Sequence, residues 1–269
     1  MKARKLFISL GVMLTTVAAT SSAAHAAAFT SNVSQNTDAK ANIFLNSITQ
    51  NGKTFSNFSY VNSAKIVYNT PKSSLDLATS GAASTDKGDK ATAPLAPKED
   101  PTAADIVAYL GNNNLSNIID GEDKGAFILD IFFDSEIVKD SSGLDDIFYW
   151  ERGQNSTLNV QGLDASGNLI GNNLKINQTK NPLNYAGFQL DTTEIYETQP
   201  VGSWGISLNS LGVSKLSGLR LVAESIHNGP DFKVIARKTV AEPATVLGLG
   251  AIATLAFFRR RQLQSNLSR

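Results

Sequence analysis

The sequence predicts a mostly β protein, an antiparallel β-sandwich of jelly-roll type with one or two short helices. Three observations carry this. Short runs of alternating apolar and polar residues recur along the middle of the chain. Clusters of Gly, Asn, Asp and Ser separate them, as turns require. No period of 20 to 50 residues repeats, which excludes solenoids and propellers. The 269 residues hold one large domain or two small ones once both ends are set aside.

In chain order, residues 1–26 read as a secretory signal peptide. Lys2, Arg4 and Lys5 form a basic start, and Leu6 to Ala19 form an apolar stretch. A small-residue segment follows, with Ala24 and Ala26 placed for cleavage before Ala27 by a signal peptidase. The alternative, a transmembrane anchor, needs a longer run with fewer Ala, Ser and Thr near its end. Residues 27–240 form the β-sandwich body. Within it, Gly81 to Pro101 lacks any apolar period and is rich in Ala, Thr, Lys, Asp and Pro. Residues 81–101 are therefore expected to be a flexible loop or linker.

One helix is expected directly after. Thr102 caps it, Asp105 at the third helical position suits the dipole, and Ile106, Val107 and Leu110 supply an apolar stripe before Gly111. Ala126 to Asp134 is apolar on both faces, as a central strand would be. Thr157 to Leu163 alternates, and the turn residues Asp164 to Asn168 lead into a second run, which predicts a hairpin. Leu219, Leu221 and Ala223 alternate with Arg220, Val222 and Glu224; Phe232, Val234 and Ala236 mark the last strand.

The chain ends in residues 241–269. Ala244 to Phe258 is a run of fifteen uncharged, mostly apolar residues, followed by Arg259, Arg260 and Arg261. As a helix it reaches about 22 Å, against a hydrocarbon core of about 30 Å. It spans a bilayer only marginally, and the positive-inside rule keeps the arginines cytoplasmic and the body outside. A temporary hold fits this better than a permanent tail anchor.

Charge narrows the partners. Lys2, Arg4, Lys5, Arg259, Arg260, Arg261 and Arg269 are seven of 24 basic residues, and Glu242 is one of 24 acidic ones, so the body carries 17 against 23, a net charge of −6. An acidic body does not suit nucleic acid or an anionic membrane surface. The absence of cysteine excludes disulfides, thiolate metal sites and a Cys nucleophile. The histidines are His25, in the leader, and His227, so a His-pair metal site is excluded by count.

Two groups of residues are candidates for binding. Asp120, Glu122 and Asp123, with Asp231 at the start of the last strand, offer oxygen ligands for calcium; Asp145, Asp146 and Glu151 form a second acidic group. Neither has EF-hand spacing, and solvated turn residues are the competing reading. Trp150, with Glu151 and Arg152, offers a stacking face and polar grips for a sugar ring. Against this, alternation turns Phe148 and Trp150 to one side, toward the core, and leaves Glu151 and Arg152 as a surface pair. A glycosidase carboxylate pair is the enzyme chemistry that composition leaves open, but no spacing singles out two acids. A triad rests on His227 alone, which sits in a Gly-Pro turn expected to be solvent-exposed. No catalytic residue is assigned, and the expectation is a protein without enzyme activity. The N-x-S/T triplets at Asn32, Asn57, Asn114, Asn155 and Asn177 are what an Asn-, Ser- and Thr-rich chain makes by chance.

The tail, with Glu242 and Pro243 in "AEPA", then the apolar run and the arginines, resembles the PEP-CTERM sorting signal of bacterial exosortase substrates. Ala241 stands where the family has its first proline. The segments "IFLNSIT", "LSNIIDGEDKGAF", "FYWERGQNSTLNVQGLDASGNLIG", "YAGFQLDTTEI" and "NGPDFKVIA" are similar to exosortase-dependent surface proteins of cyanobacteria. The resemblance implies recognition and cutting near the motif by an exosortase in the membrane, and a setting at the cell surface or in an exopolysaccharide matrix. It implies no activity and no cofactor.

Overall fold

The computed structural model describes residues 28–34, 38–71, 82–92, 96–177, 184–194 and 197–239. Ala24, Ala26, Ala27, Glu242, Pro243, the apolar run 244–258 and Arg259, Arg260 and Arg261 lie outside the described residues. Among the described residues no helix is long and apolar enough to cross a membrane.

The body is mostly β, as expected. Its strands are β1 (Thr30–Val33), β2 (Leu45–Gln50), β3 (Lys53–Phe55), β4 (Phe58–Ser59), β5 (Val61–Asn69), β6 (Ala83–Lys87), β7 (Asn117–Gly121), β8 (Phe127–Val138), β9 (Ile147–Arg152), β10 (Thr157–Leu163), β11 (Leu169–Asn177), β12 (Asn184–Leu190), β13 (Gln199–Ile206), β14 (Lys215–Ala223) and β15 (Asp231–Arg237); one helix, α1 (Ala103–Leu110), lies between β6 and β7. All sheets are antiparallel. One has the order β11-β10-β14-β8-β5, a second β12-β13-β9-β15-β7-β6 with β4 pairing to β15, and a small third β1-β2-β3.

The second sheet lies in the middle, because its strands bury both faces. In β9, Ile147 and Tyr149 belong to the core shared with the five-stranded sheet and α1, and Phe148 and Trp150 belong to the core shared with β1-β2-β3. β15 divides the same way: Phe232, Val234 and Ala236 face one core and Ile235 the other. Three layers therefore enclose two cores, where the sequence predicts one core between two sheets.

Several elements follow the sequence closely. α1 begins with a capping box: Asp105 N donates to Thr102 Oγ1 at 3.3 Å and Thr102 N to Asp105 Oδ2 at 2.9 Å, and Gly111 ends the helix. The β10–β11 hairpin turns at Asp164, whose Oδ1 accepts from Ser166 N and Asn168 N, both at 2.8 Å, with Gly167 at φ +80°. In β14, Leu219, Leu221 and Ala223 are buried, as their alternation requires.

Residues 81–101 depart from expectation. Their described part is not a flexible loop: β6 pairs along its length with β7, and Thr85 bridges to Lys98. Ala83, Ser84, Thr85 and Asp86 are all fully buried. An apolar period cannot announce a strand whose buried side chains after Ala83 are Ser, Thr and Asp.

Trp150 is 1% exposed; its Nε1 donates to Ser31 Oγ at 2.9 Å, and Phe29 meets its ring edge-on at 5.7 Å. Trp150→Ala should therefore cost about 3–5 kcal/mol, as cavity-forming core changes do. The midpoint of urea unfolding checks this, and an unchanged midpoint would contradict the burial.

Candidate functional site

The aromatic and charged end of β9 is interior. Trp150, Glu151 and Arg152 are each about as buried as a core leucine. Trp150 therefore offers no face to a sugar, and Glu151 and Arg152 are not a surface pair. Alternation sends them to opposite sides of the central sheet. Glu151 follows Tyr149 and accepts from Ser156 Oγ at 2.8 Å. Arg152 follows Trp150 and meets Asp231, its direct neighbour across the ladder, Nη2 to Oδ2 at 2.6 Å.

That ion pair opens a row of charge. β15, β7 and β6 lie beyond β9, and the register sets Asp231, Asp120 and Asp86 on the face that carries Arg152. Asp231 Oδ1 also accepts from Gly121 N at 3.1 Å. The backbones are close here: a Cβ on Gly121 would come to 2.7 Å from Pro230. Asp86 faces the loop after β12, accepting from Thr193 N and Glu194 N, each at 3.2 Å. Glu194 is thereby held beside Glu99 and Glu122, and carboxylate oxygens of these three lie within 4.8 Å of one another.

Crowding and burial shift the acids. Burial pushes the Asp120 carboxyl well above the ordinary range, with Asp231 adding to it. Burial, then contact with Glu99, brings Glu194 up to about 8. Asp86 is raised by burial, which outweighs its hydrogen bonds. On the opposite face, burial brings Glu151 up to about 8, and the charge of Asp231 adds to the effect.

The calcium set expected from the sequence is therefore split. Asp120 and Asp231 touch one another deep in the sheet, Glu122 belongs to a triad with Glu99 and Glu194, and Asp123 is exposed. The sequence does not single out Glu99, Glu194 or Asp86. Glu99 and Asp86 lie in the stretch read as linker, and no local spacing ties Glu194 to residues about 70 to 110 positions earlier.

The second acidic group is structural. Asp145 Oδ2 accepts from Gln50 Nε2 at 2.6 Å. Asp146 pairs with Arg237 Nη2 at 2.9 Å and accepts from Leu208 N at 2.8 Å. Both are buried rather than solvated turn residues. His227 is also buried rather than exposed: its Nδ1 accepts from Glu224 N at 3.0 Å, and Ser156 donates to Glu151 instead. A Ser–His pairing is therefore not formed there.

Compared with protein-family models, curated proteins and solved structures, the chain matches none.

Two predictions follow from the charges. The Glu151 carboxyl is raised from an ordinary value of 4.5 to about 8, so the folded state keeps a proton that the unfolded state loses. Its contribution is fully present below pH 4.5 and is lost as pH rises to about 8. Glu151→Gln should lessen the fall of stability across that window and raise the urea midpoint at pH 9 above that of the wild type. Separately, Asp231→Asn strips the buried guanidinium of its direct partner and should cost about 3–5 kcal/mol, read by the same unfolding assay.

Proposed function

We propose that the chain is an exported cell-surface or extracellular-matrix protein without catalytic activity, sorted through its C-terminal tail. The observation that carries this is the order of three parts. A basic, apolar and small-residue start precedes a β-rich body, and Glu242-Pro243, a fifteen-residue apolar run and three arginines close the chain. Tail and body both resemble exosortase substrates, and that resemblance supplies the partners: a signal peptidase, an exosortase and an exopolysaccharide setting.

The body supports the reading in a general way. The sequence holds no cysteine, so the order of the body does not depend on forming disulfides after export. We take the two larger sheets for a jelly-roll-type body. The chain changes sheet from β8 to β9, β9 to β10, β11 to β12, β13 to β14 and β14 to β15, which interlocks them. The carbohydrate-binding reading through Trp150 loses its contact surface, since that ring is packed between Phe29 and Phe148.

Intact mass of the protein recovered from its host, with cell-bound and released fractions measured separately, tests the proposal. Loss of residues 1–26 and of everything beyond the "AEPA" region is the expected result. Mass added at the new carboxyl end would identify the anchor. A tail retained through Arg269 would make this a membrane-anchored domain and overturn the sorting reading.

A further inference from the structure

We propose that a proton held on Asp120 is a structural part of the fold, joining β7 to Asp231 on β15 and to Glu194 in the loop after β12, and that its loss at alkaline pH unlatches that loop from the central sheet. The register makes such a proton necessary. Phe232 pairs with Ile119, so Asp231 and Asp120 stand opposite one another on antiparallel neighbours, and Asp231 also stands opposite Arg152. All three residues are buried. Two carboxylates facing across a ladder repel, and out of water that repulsion is little screened. Asp231 is the ionised member: Oδ2 accepts from Arg152 Nη2 at 2.6 Å and Oδ1 accepts from Gly121 N at 3.1 Å. With both Asp231 oxygens acting as acceptors, the hydrogen bond between the two acids needs an O–H on Asp120. The same two N–H donors make the pair a poor seat for a cation.

The surroundings fix the direction in which Asp120 responds. Asp86 on β6 adds a second negative neighbour, and Arg152 on β9 opposes it. Two nearby lysines are engaged elsewhere: Lys233 of β15 donates to Tyr109 O and Asn112 Oδ1, and Lys98 pairs with Asp105 at 3.1 Å. Glu194 meets Asp120 on one side and Glu99 on the other, with Glu122 beside them. Burial, and after it the charge of Asp231, holds the Asp120 proton well above the ordinary carboxylate range, and Glu194 is brought up to about 8. An acid raised in this way contributes stability that is full below its ordinary value and is lost as pH rises through the raised one. Ionising Asp120 sets a bare carboxylate among Asp231, Asp86 and Glu194.

The loop is the element that yields. β15 is held by its ladder to β9, and β7 by its ladder to β6. The loop after β12 is held more lightly, by a bridge from Thr192 to Gly88 and by the bonds of Thr193 N and Glu194 N to Asp86, each at 3.2 Å. Asp86 faces Asp120 as well as holding these amides, so repulsion at Asp120 acts on the anchor of the loop.

The test uses the full-length chain carrying Glu151→Gln, because Glu151 titrates near the same pH on the opposite face. Hydrogen exchange, corrected for the intrinsic rate at each pH, should show protection of the Thr193 and Glu194 amides falling at least about tenfold between about pH 6 and about pH 9. Adding Asp120→Asn replaces the O–H by an N–H that pH does not remove, so protection should then stay level. Protection that does not change with pH in the Glu151→Gln chain overturns the proposal, and so does a fall that Asp120→Asn leaves intact. Far-UV circular dichroism establishes that each variant is folded. If Asp120→Asn is not, the carboxyl-carbon NMR shift of Asp120 in the Glu151→Gln chain decides: a proton still bound at about pH 7 is expected, and a carboxyl already ionised there overturns the proposal.

Discussion

Burial of the central sheet on both faces is the constraint from which the rest of the architecture follows. A sheet covered on one side can turn every second residue to water. β9 and β15 cannot: each of their thirteen residues is buried. Apolar side chains meet this by packing, which is why Phe148, Tyr149, Trp150, Phe232, Val234 and Ile235 fill two cores at once. Polar ones must bring their partners inside. Arg152 takes Asp231, Glu151 takes Ser156, and Arg237 takes Asp140 and Asp146.

Lys233 shows how far this goes. It is fully buried between those pairs, and burial pulls its ammonium well below the ordinary lysine range. Its Nζ donates to Tyr109 O, at the carboxyl end of α1, and to Asn112 Oδ1 at 3.2 Å. Helix carbonyls left without partners, and the negative end of the helix dipole, suit such a donor. The helix thus satisfies a sheet residue that no neighbouring strand serves. The capping box at its other end fixes where those carbonyls lie, so a local sequence signal and a distant buried amine depend on one another.

This double burial also explains what the sequence reveals. Where one face is less covered, alternation is plain: β10, β11 and β14 are legible, as is the Asp164 turn between two of them. The helix is legible because Thr102 and Asp105 are three residues apart. Trp150 and Phe148 were legible as core, but Glu151 and Arg152 were not. Their partners Ser156 and Asp231 prove them buried, and Asp231 lies 79 positions away. β6 fails for a related reason. Its buried side chains after Ala83 are polar, and its order comes from pairing to β7 and from contacts with Lys98 and the loop near Thr192. The acid triad is the extreme case, since three segments each supply one glutamate. No local window contains it.

The two ends of the second core are closed by different forces. Toward β1-β2-β3, Phe29, Ile48, Phe148, Trp150 and Ile235 exclude water by apolar packing, which ionic conditions hardly affect. Toward β6, the same sheet face carries Arg152, Asp231, Asp120 and Asp86 under the loop of Thr193 and Glu194. There, Arg152 attracts Asp231, Asp120 and Asp86 while those acids repel one another, so a proton added or removed changes the balance. Part of the fold's pH-dependent stability therefore lies at this end of the sheet, beneath the loop of Thr193 and Glu194. The aromatic end holds the layers together by packing that pH and salt hardly touch.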